Sequence, residues 1–359
     1  MIKTSGKYSP DIAIPPGETL LEFIELKNIS QKELADRTGL TTKTISLIIK
    51  GHAPISPETA LKLEIVLDMP ASFWTNLENN YQETLLRLKL EKESETEKWI
   101  LDEIDYSEMV KKRWIPKAIS LIEKISNLKN YFGVASFSNL KNLYPALFRK
   151  SCSKNASNYA LAAWIEKGLK EASGIETQNY NKNALKSNIY KLKELTLEND
   201  TKIFMPELIK LCKNCGIALS VLPHLKKTYA HGATKWITPN KAMLLLSLRF
   251  SFIDIFWFSF FHELGHIIYH SKKDIFIECD NNSDKFEDEA DEFAVHTLIE
   301  PKEYEHFIKN NIFTRKYILN FSKKIGANPA ILIGRLEHEK LINYGMYDSL
   351  KPRLKFLDN

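Results

Sequence analysis

The sequence predicts a mostly α protein with a small β-sheet, and three observations carry that reading. Between residues 16 and 80, short apolar-periodic segments are bracketed by helix-start and helix-stop residues. From about 99 to 197 the apolar spacing remains helical. After 216, three runs of strand-like alternation precede a long apolar helical run that contains His262-Glu263-Leu264-Gly265-His266. The chain therefore divides into an all-α domain over 1–88, a helical connecting region over 89–200 and an α+β domain over 201–359. A length of 359 residues with 44% hydrophobic content suffices for packed cores in each part.

Composition narrows the classes. A net charge of +5 is too small to argue for nucleic acid without a motif. The first residues are polar and lack the apolar core of a signal peptide. The most apolar run, Phe252 to Phe261, contains Asp254 and is shorter than the roughly 20 residues a bilayer span needs. A cytoplasmic protein without a membrane partner is expected. Four cysteines, Cys152, Cys212, Cys215 and Cys279, make no disulfide framework in so long a chain, and Cys212-Lys-Asn-Cys215 reads as core thiols on one helix face.

The N-terminal elements follow from their caps. Pro16-Gly17-Glu18 opens a first helix, and Ser30-Gln31-Lys32-Glu33 is a capping box opening a second. Gly39 makes the turn, Thr41 caps a third helix through Ile45 and Ile48, and Gly51 closes it. Two short helices joined by a glycine-containing turn form a helix-turn-helix, whose second helix enters the major groove of DNA. That helix offers Thr41, Thr42, Lys43, Thr44, Ser46 and Lys50, with Gln31 at the start of the helix before it. The set suits phosphate contacts and limited base contacts, and has no arginine for bidentate guanine readout. Acids and bases nearly balance over this part, so affinity would rest on a few phosphates and on a homodimer.

Pro16-Gly17-Glu18 with Leu20, Ser30-Gln31-x-x-Leu34-Ala35, Thr44-Ile45-Ser46, Ala53-Pro54-Ile55-Ser56-Pro57 and Phe73-Trp74 resemble the HigA-type branch of XRE helix-turn-helix antitoxins. The resemblance implies operator DNA as a partner, with a cognate toxin as a second one. A protein-interaction module that keeps the same fold is the competing reading.

Beyond Tyr81 the charged stretch Glu91 to Lys98 reads as a solvated helix or linker. Amphipathic helices follow around 109–113, 119–128, 137–143, 159–171 and 185–197. The last domain begins with a helix near 205–214, then strands at 216–222, 231–237 and 241–248, the last two joined by a turn at Pro239-Asn240. A small sheet of this kind can offer an edge to an extended peptide, with His231 to Trp236 lining the cleft, or can be a purely structural hairpin.

His262 and His266 stand one turn apart on a helix, so both imidazoles can reach one ion at about 2.0–2.1 Å. Glu263 points about 100° round the same helix, placed to take a proton from an attacking water rather than to ligate. Two imidazoles leave a tetrahedral site incomplete, and a third ligand must come from elsewhere. Phe286-Glu287-Asp288-Glu289-Ala290-Asp291 supplies acids on a second helix, whose buried stripe reads as Phe286, Ala290, Phe293, Ala294 and Leu298. Glu287 as ligand leaves Asp291 one turn on to accept a histidine N–H. His270, a further turn along the first helix, reads as an outer-shell or surface residue.

His262-Glu263-Leu264-Gly265-His266 together with Glu287-x-x-Ala290-Asp291-x-Phe293-Ala294 and Leu298-Ile299-Glu300-Pro301 resemble the ImmA/IrrE-type metallopeptidases. The resemblance implies a thermolysin-like domain with Zn2+ as cofactor, Glu263 as catalytic base, and Glu287 as third ligand, with Glu289 as its rival. It implies an endopeptidase whose protein substrate is a repressor or other regulatory protein. Two other readings stand beside it: an antitoxin or repressor whose zinc domain senses a signal without turnover, and a scaffold that neutralises a toxin by contact.

Overall fold

The computed structural model describes residues 12–149, 155–247, 249, 251–272, 274–279 and 285–354; Cys152 and Leu248 lie outside the described residues. Two compact units result, one built on the chain up to Lys98 with Ser120–Ile125, the other on Trp99–Ile119 with Ser126 onward.

The first unit is helical: α1 (Pro16–Leu26), α2 (Gln31–Thr38), α3 (Thr42–Ile49), α4 (Pro57–Leu67) and α5 (Ala71–Glu97). Each short helix stops and starts on local chemistry. Ser30 Oγ accepts the Glu33 N–H at 3.1 Å, and Thr41 Oγ1 accepts the Thr44 N–H at 3.0 Å. Gly39 closes α2 in the left-handed conformation, with φ 68°. Only half of the capping box forms, because the Glu33 carboxylate turns to Arg37 one turn on instead of reaching back to Ser30. Leu20, Leu34, Ile45, Ile48, Leu63 and Trp74 make the shared core. Buried Glu78 ties the α3–α4 connection to α5, its Oε2 accepting the Ile55 N–H at 2.9 Å.

Gly17 sets the approach of α1 to α3. A Cβ there would sit 2.1 Å from the Ile48 carbonyl oxygen and 2.4 Å from Ile49 Cα, both backbone atoms that cannot swing aside. Gly17→Ala is therefore expected to cost about 1–3 kcal/mol by overpacking, read as a lower denaturant midpoint at unchanged slope.

Helix α5 runs unbroken through residue 88, so the charged stretch at 91–97 is helix and not an irregular linker. Short helices α6 (Ile100–Glu103) and α7 (Tyr106–Lys111) follow, then α8 (Leu121–Phe132), α9 (Leu140–Leu143) and α10 (Pro145–Arg149). After these come α11 (Asn158–Gly174), α12 (Lys182–Glu194) and α13 (Thr201–Asn214).

The sheet is mixed, in the order β1-β3-β2-β4, from β1 (Ile217–Leu222), β2 (Ala230–Thr238), β3 (Lys241–Ser247) and β4 (Ile275–Cys279). β1 runs parallel to β3, while β2 pairs antiparallel with both β3 and β4. One part of the expectation for His231 to Trp236 is corrected: β2 is an inner strand, its backbone groups already spent on two neighbours, so it offers no edge to a peptide, and the sheet edges are β1 and β4. Strand β4 escaped the sequence reading, although Ile275-Phe276-Ile277 between Asp274 and Asp280 carries a strand signal.

Both faces of the sheet are covered. On one, α11 approaches so closely that a Cβ on Gly168 would meet Leu245 Cδ2 at 2.5 Å. On the other lies α14 (Ile253–Tyr269), apolar around most of its circumference and buried from Ile253 to Ile268 except at Ile255 and Phe258. Helices α15 (Lys285–Leu298), α16 (Pro301–Lys309), α17 (Arg315–Ile325) and α18 (Pro329–His338) complete this layer, with α14 packed against α15 and α18. The buried stripe of α15 is Glu287, Ala290, Ala294 and Leu298, while Phe286 is half-exposed. The expected stripe was rotated because it assigned the acids to solvent; here one acid is turned inward by what it meets on α14. Among the described residues no helix is long and apolar enough to cross a membrane.

Candidate metal centre

Residue size brings α14 and α15 together. A Cβ on Gly265 would lie 3.2 Å from Ala290 Cα, so the glycine between the two histidines and the alanine opposite set a short interhelical distance. At that distance a carboxylate on α15 reaches imidazoles on α14. His262 Nε2 and His266 Nε2 are 3.0 Å apart, and Glu287 Oε2 stands 3.1 Å from the first and 3.6 Å from the second. All three residues are buried.

The outer nitrogens fix the proton positions. His262 Nδ1 lies 2.7 Å from Asp291 Oδ1, so the proton on that side is donated to the carboxylate. His266 Nδ1 lies 2.8 Å from His270 Nδ1, and His270 Nε2 lies 3.1 Å from Glu289 Oε2. With each proton directed outward in this way, the two Nε2 lone pairs and the Glu287 carboxylate converge on one point. Three acceptors that converge call for a cation. Their separations of 3.0, 3.1 and 3.6 Å bracket the edge of about 3.3 Å that ligands at 2.0–2.1 Å around a tetrahedral ion would have. The donor set thus fits a zinc-like ion with a fourth position open. Glu289, the rival carboxylate, faces His270 instead.

Electrostatics agree with this arrangement. Burial opposes charge on Glu287, but the two imidazoles beside its carboxylate outweigh it and hold its pKa down to about 2. Burial also works against charge on His262, yet the Asp291 and Glu287 hydrogen bonds keep its pKa well above the ordinary value. His266, whose burial dominates, is shifted down. The Phe276 ring stacks on the His266 imidazole at 4.4 Å between centroids, 14° from parallel.

Glu263 follows His262 on α14, and its side chain packs against β2 at Gly232. It is fully buried with the Thr234 hydroxyl beside it, and neither carboxyl oxygen makes a well-formed hydrogen bond among the described residues. Burial, the largest influence, drives its pKa well above the usual carboxylate range. Its room comes from Gly232, where a Cβ would fall 2.5 Å from Glu263 Oε1. The Thr234 hydroxyl donates to the Glu263 main-chain carbonyl at 3.3 Å, and Glu278 on β4 shares this face of the sheet. Gly232 and Thr234 fall in the His231 to Trp236 stretch expected to line the cleft, whereas Glu278 was not among the sequence-derived candidates. Gly232 follows His231 in a run already read as a strand, a position where glycine commonly marks a close approach.

In the first unit, Thr41, Thr42, Lys43 and Lys50 are exposed, and Gln31, Thr44 and Ser46 are half-buried. Thr41 and Thr44 also pair through their hydroxyls at 2.8 Å, so both are partly committed to the helix start. Lys50 caps the opposite end of α3, about 10 Å from Lys43 along the axis. Cys212 and Cys215 are free and buried, and burial raises both thiol pKa values, consistent with core packing.

Fold and site together define a regulator-like chain, a helix-turn-helix unit joined to a unit with a helix-borne histidine and carboxylate centre. Residues 20–74 match the helix-turn-helix family and residues 255–323 match the IrrE N-terminal-like domain. An uncharacterized HTH-type transcriptional regulator of Escherichia coli K12, YddM, is 33% identical over 64 residues, 18% of this chain and 68% of that protein. The chain belongs to the helix-turn-helix regulators and carries an IrrE/ImmA-like peptidase domain. Among solved structures it is similar to an addiction module antidote protein of the HigA family from Coxiella burnetii: 31% identity, 24% of this chain, 94% of that one, TM-score 0.22. Pseudomonas aeruginosa antitoxin HigA, solved with the higBA promoter, is 31% identical over 24% of this chain and 95% of its own, with a TM-score of 0.23.

Proposed function

We propose that the protein is an operator-binding transcriptional regulator of the cytoplasm whose second unit is a zinc-dependent endopeptidase acting on a repressor or another regulatory protein. The observation that carries the reading is the convergence of His262 Nε2, His266 Nε2 and Glu287 Oε2 one residue away from a buried carboxyl group with no partner. A structural metal site has no use for such a group, whose unpaired burial is costly. His262, His266 and Glu287 would hold the ion, while Asp291 and the His270–Glu289 pair fix the imidazole tautomers. Zinc, when bound, supplies Lewis acidity toward a carbonyl and lowers the pKa of water at its open position toward about 7. Glu263 accepts the proton of the attacking water and delivers it to the departing amine. Its raised pKa, set by burial, brings the carboxyl nearer the range in which it can do both.

The test is incubation of the purified, zinc-loaded chain with the repressor encoded beside its own gene, followed by intact-mass analysis. One defined cut supports the reading. No cut, with zinc bound and operator bound, supports instead a regulator whose metal unit senses a signal or holds a toxin.

For the first unit, Lys43→Ala is expected to weaken operator binding uniformly across sequences and to lower the slope of log K against log salt by about 1. A gel shift repeated at several salt concentrations measures it. An unchanged slope would remove Lys43 from the DNA contacts.

A further inference from the structure

A cavity of about 570 Å³ lies beside the candidate centre, bordered there by Asp291, Glu278 and His231 and extending to Asp254 and Lys351. Asp254 precedes His262 by eight residues on α14, about 12 Å along the helix axis. Ile255, Phe258, Val295, Leu298 and Ile331 give the walls an apolar character.

The charges around this space do not cancel. Lys351 Nζ lies 2.8 Å from Asp254 and 2.7 Å from Glu337, with all three side chains almost fully buried, so one cation faces two carboxylates. Arg335 is matched by Glu339 at 2.9 Å. Glu278 adds a carboxylate on the side of the centre. Asp254 is 6% exposed and is met by Lys351 and by the amides at the start of α14, while Glu278 Oε2 has no hydrogen-bond partner among the described residues. Buried carboxylate oxygens are ordinarily satisfied, and this one lacks a donor.

We propose that the cavity is the side-chain subsite of the candidate peptidase and that it takes a lysine or arginine of the substrate, adjacent to the bond presented to Glu263. A basic side chain has the matching shape: an aliphatic stem for the apolar walls, and a cationic head with several N–H donors for Glu278. Arg335 Nη1, also without a partner, can donate to a main-chain carbonyl of the same peptide. This assignment rests on the hydrolase reading, and its test keeps the two apart.

Binding is measured by fluorescence anisotropy on the zinc-loaded full-length Glu263→Gln chain, with peptides that differ at one position: lysine, arginine, norleucine or glutamate. Basic peptides should bind at least about 10-fold more tightly than norleucine, and adding Glu278→Gln should erase most of that ratio while leaving norleucine binding and thermal midpoint unchanged. The lysine-to-norleucine comparison needs no cavity variant, so misfolding of Glu278→Gln would not spare the proposal. Equal binding of lysine and norleucine overturns it, and continued cleavage by the unsubstituted chain would then leave the hydrolase reading intact. Selective binding of basic peptides that are never cut keeps the subsite and removes the hydrolase.

Discussion

Glu263→Gln is expected to reduce peptide-bond hydrolysis by about 10²–10⁴-fold, the range a positioned general base contributes, while zinc stoichiometry and operator binding stay unchanged. The amide has the size of the carboxyl and keeps the packing against Gly232, so the fold has no reason to respond. It cannot take up a proton. Nor does it touch the three converging donors, which leaves the metal question separate from the chemical one. In fact the change removes an unpaired carboxyl from a fully buried position, and the thermal midpoint should hold or rise. Inductively coupled plasma analysis and a cleavage assay on the same preparation provide the check. Cleavage that survives the substitution would end the proposed mechanism.

The second large effect is loss of metal in Glu287→Ala. Two imidazoles alone bind zinc weakly, and a third donor is what closes the site. The loss in affinity should exceed the roughly 10–100-fold that removal of an outer-shell partner costs, and competition with a chromogenic chelator measures it. Glu289→Ala is the control, because its carboxylate stands on His270 Nε2 and acts on the site only through His270 and His266. It should show an outer-shell loss at most. If the two variants lose metal equally, or only Glu289→Ala does, the ligand set is wrong.

Much of the candidate centre was legible in the sequence because its spacing is local. An i,i+4 pair of histidines shares a helix face whatever surrounds the helix, and Ser30, Gly39 and Thr41 mark helix ends through bonds to residues within one turn. Contacts between distant segments were not legible in that way. The choice between Glu287 and Glu289 turned on how closely α15 approaches α14, which Gly265 and Ala290 govern jointly. Phe286 looked like a core residue on periodicity alone and is half-exposed, because Glu287 occupies the inward position beside it. Glu278 and Asp254 meet one cavity only after β4 pairs with β2 and α18 packs on α14.

From residues alone one could infer the helix-turn-helix with its caps, the histidine pair with its carboxyl neighbour, and a nearby acidic helix to complete the set. Each depends on intervals of three or four residues, and the α-helix converts such intervals into a face without help. Only the tertiary structure decided that β2 is an inner strand, that Glu263 is sealed against Gly232, and that carboxylates outnumber cations around the adjoining space. Strand order and helix approach depend on side chains tens of residues apart filling one volume, and no local period encodes that packing.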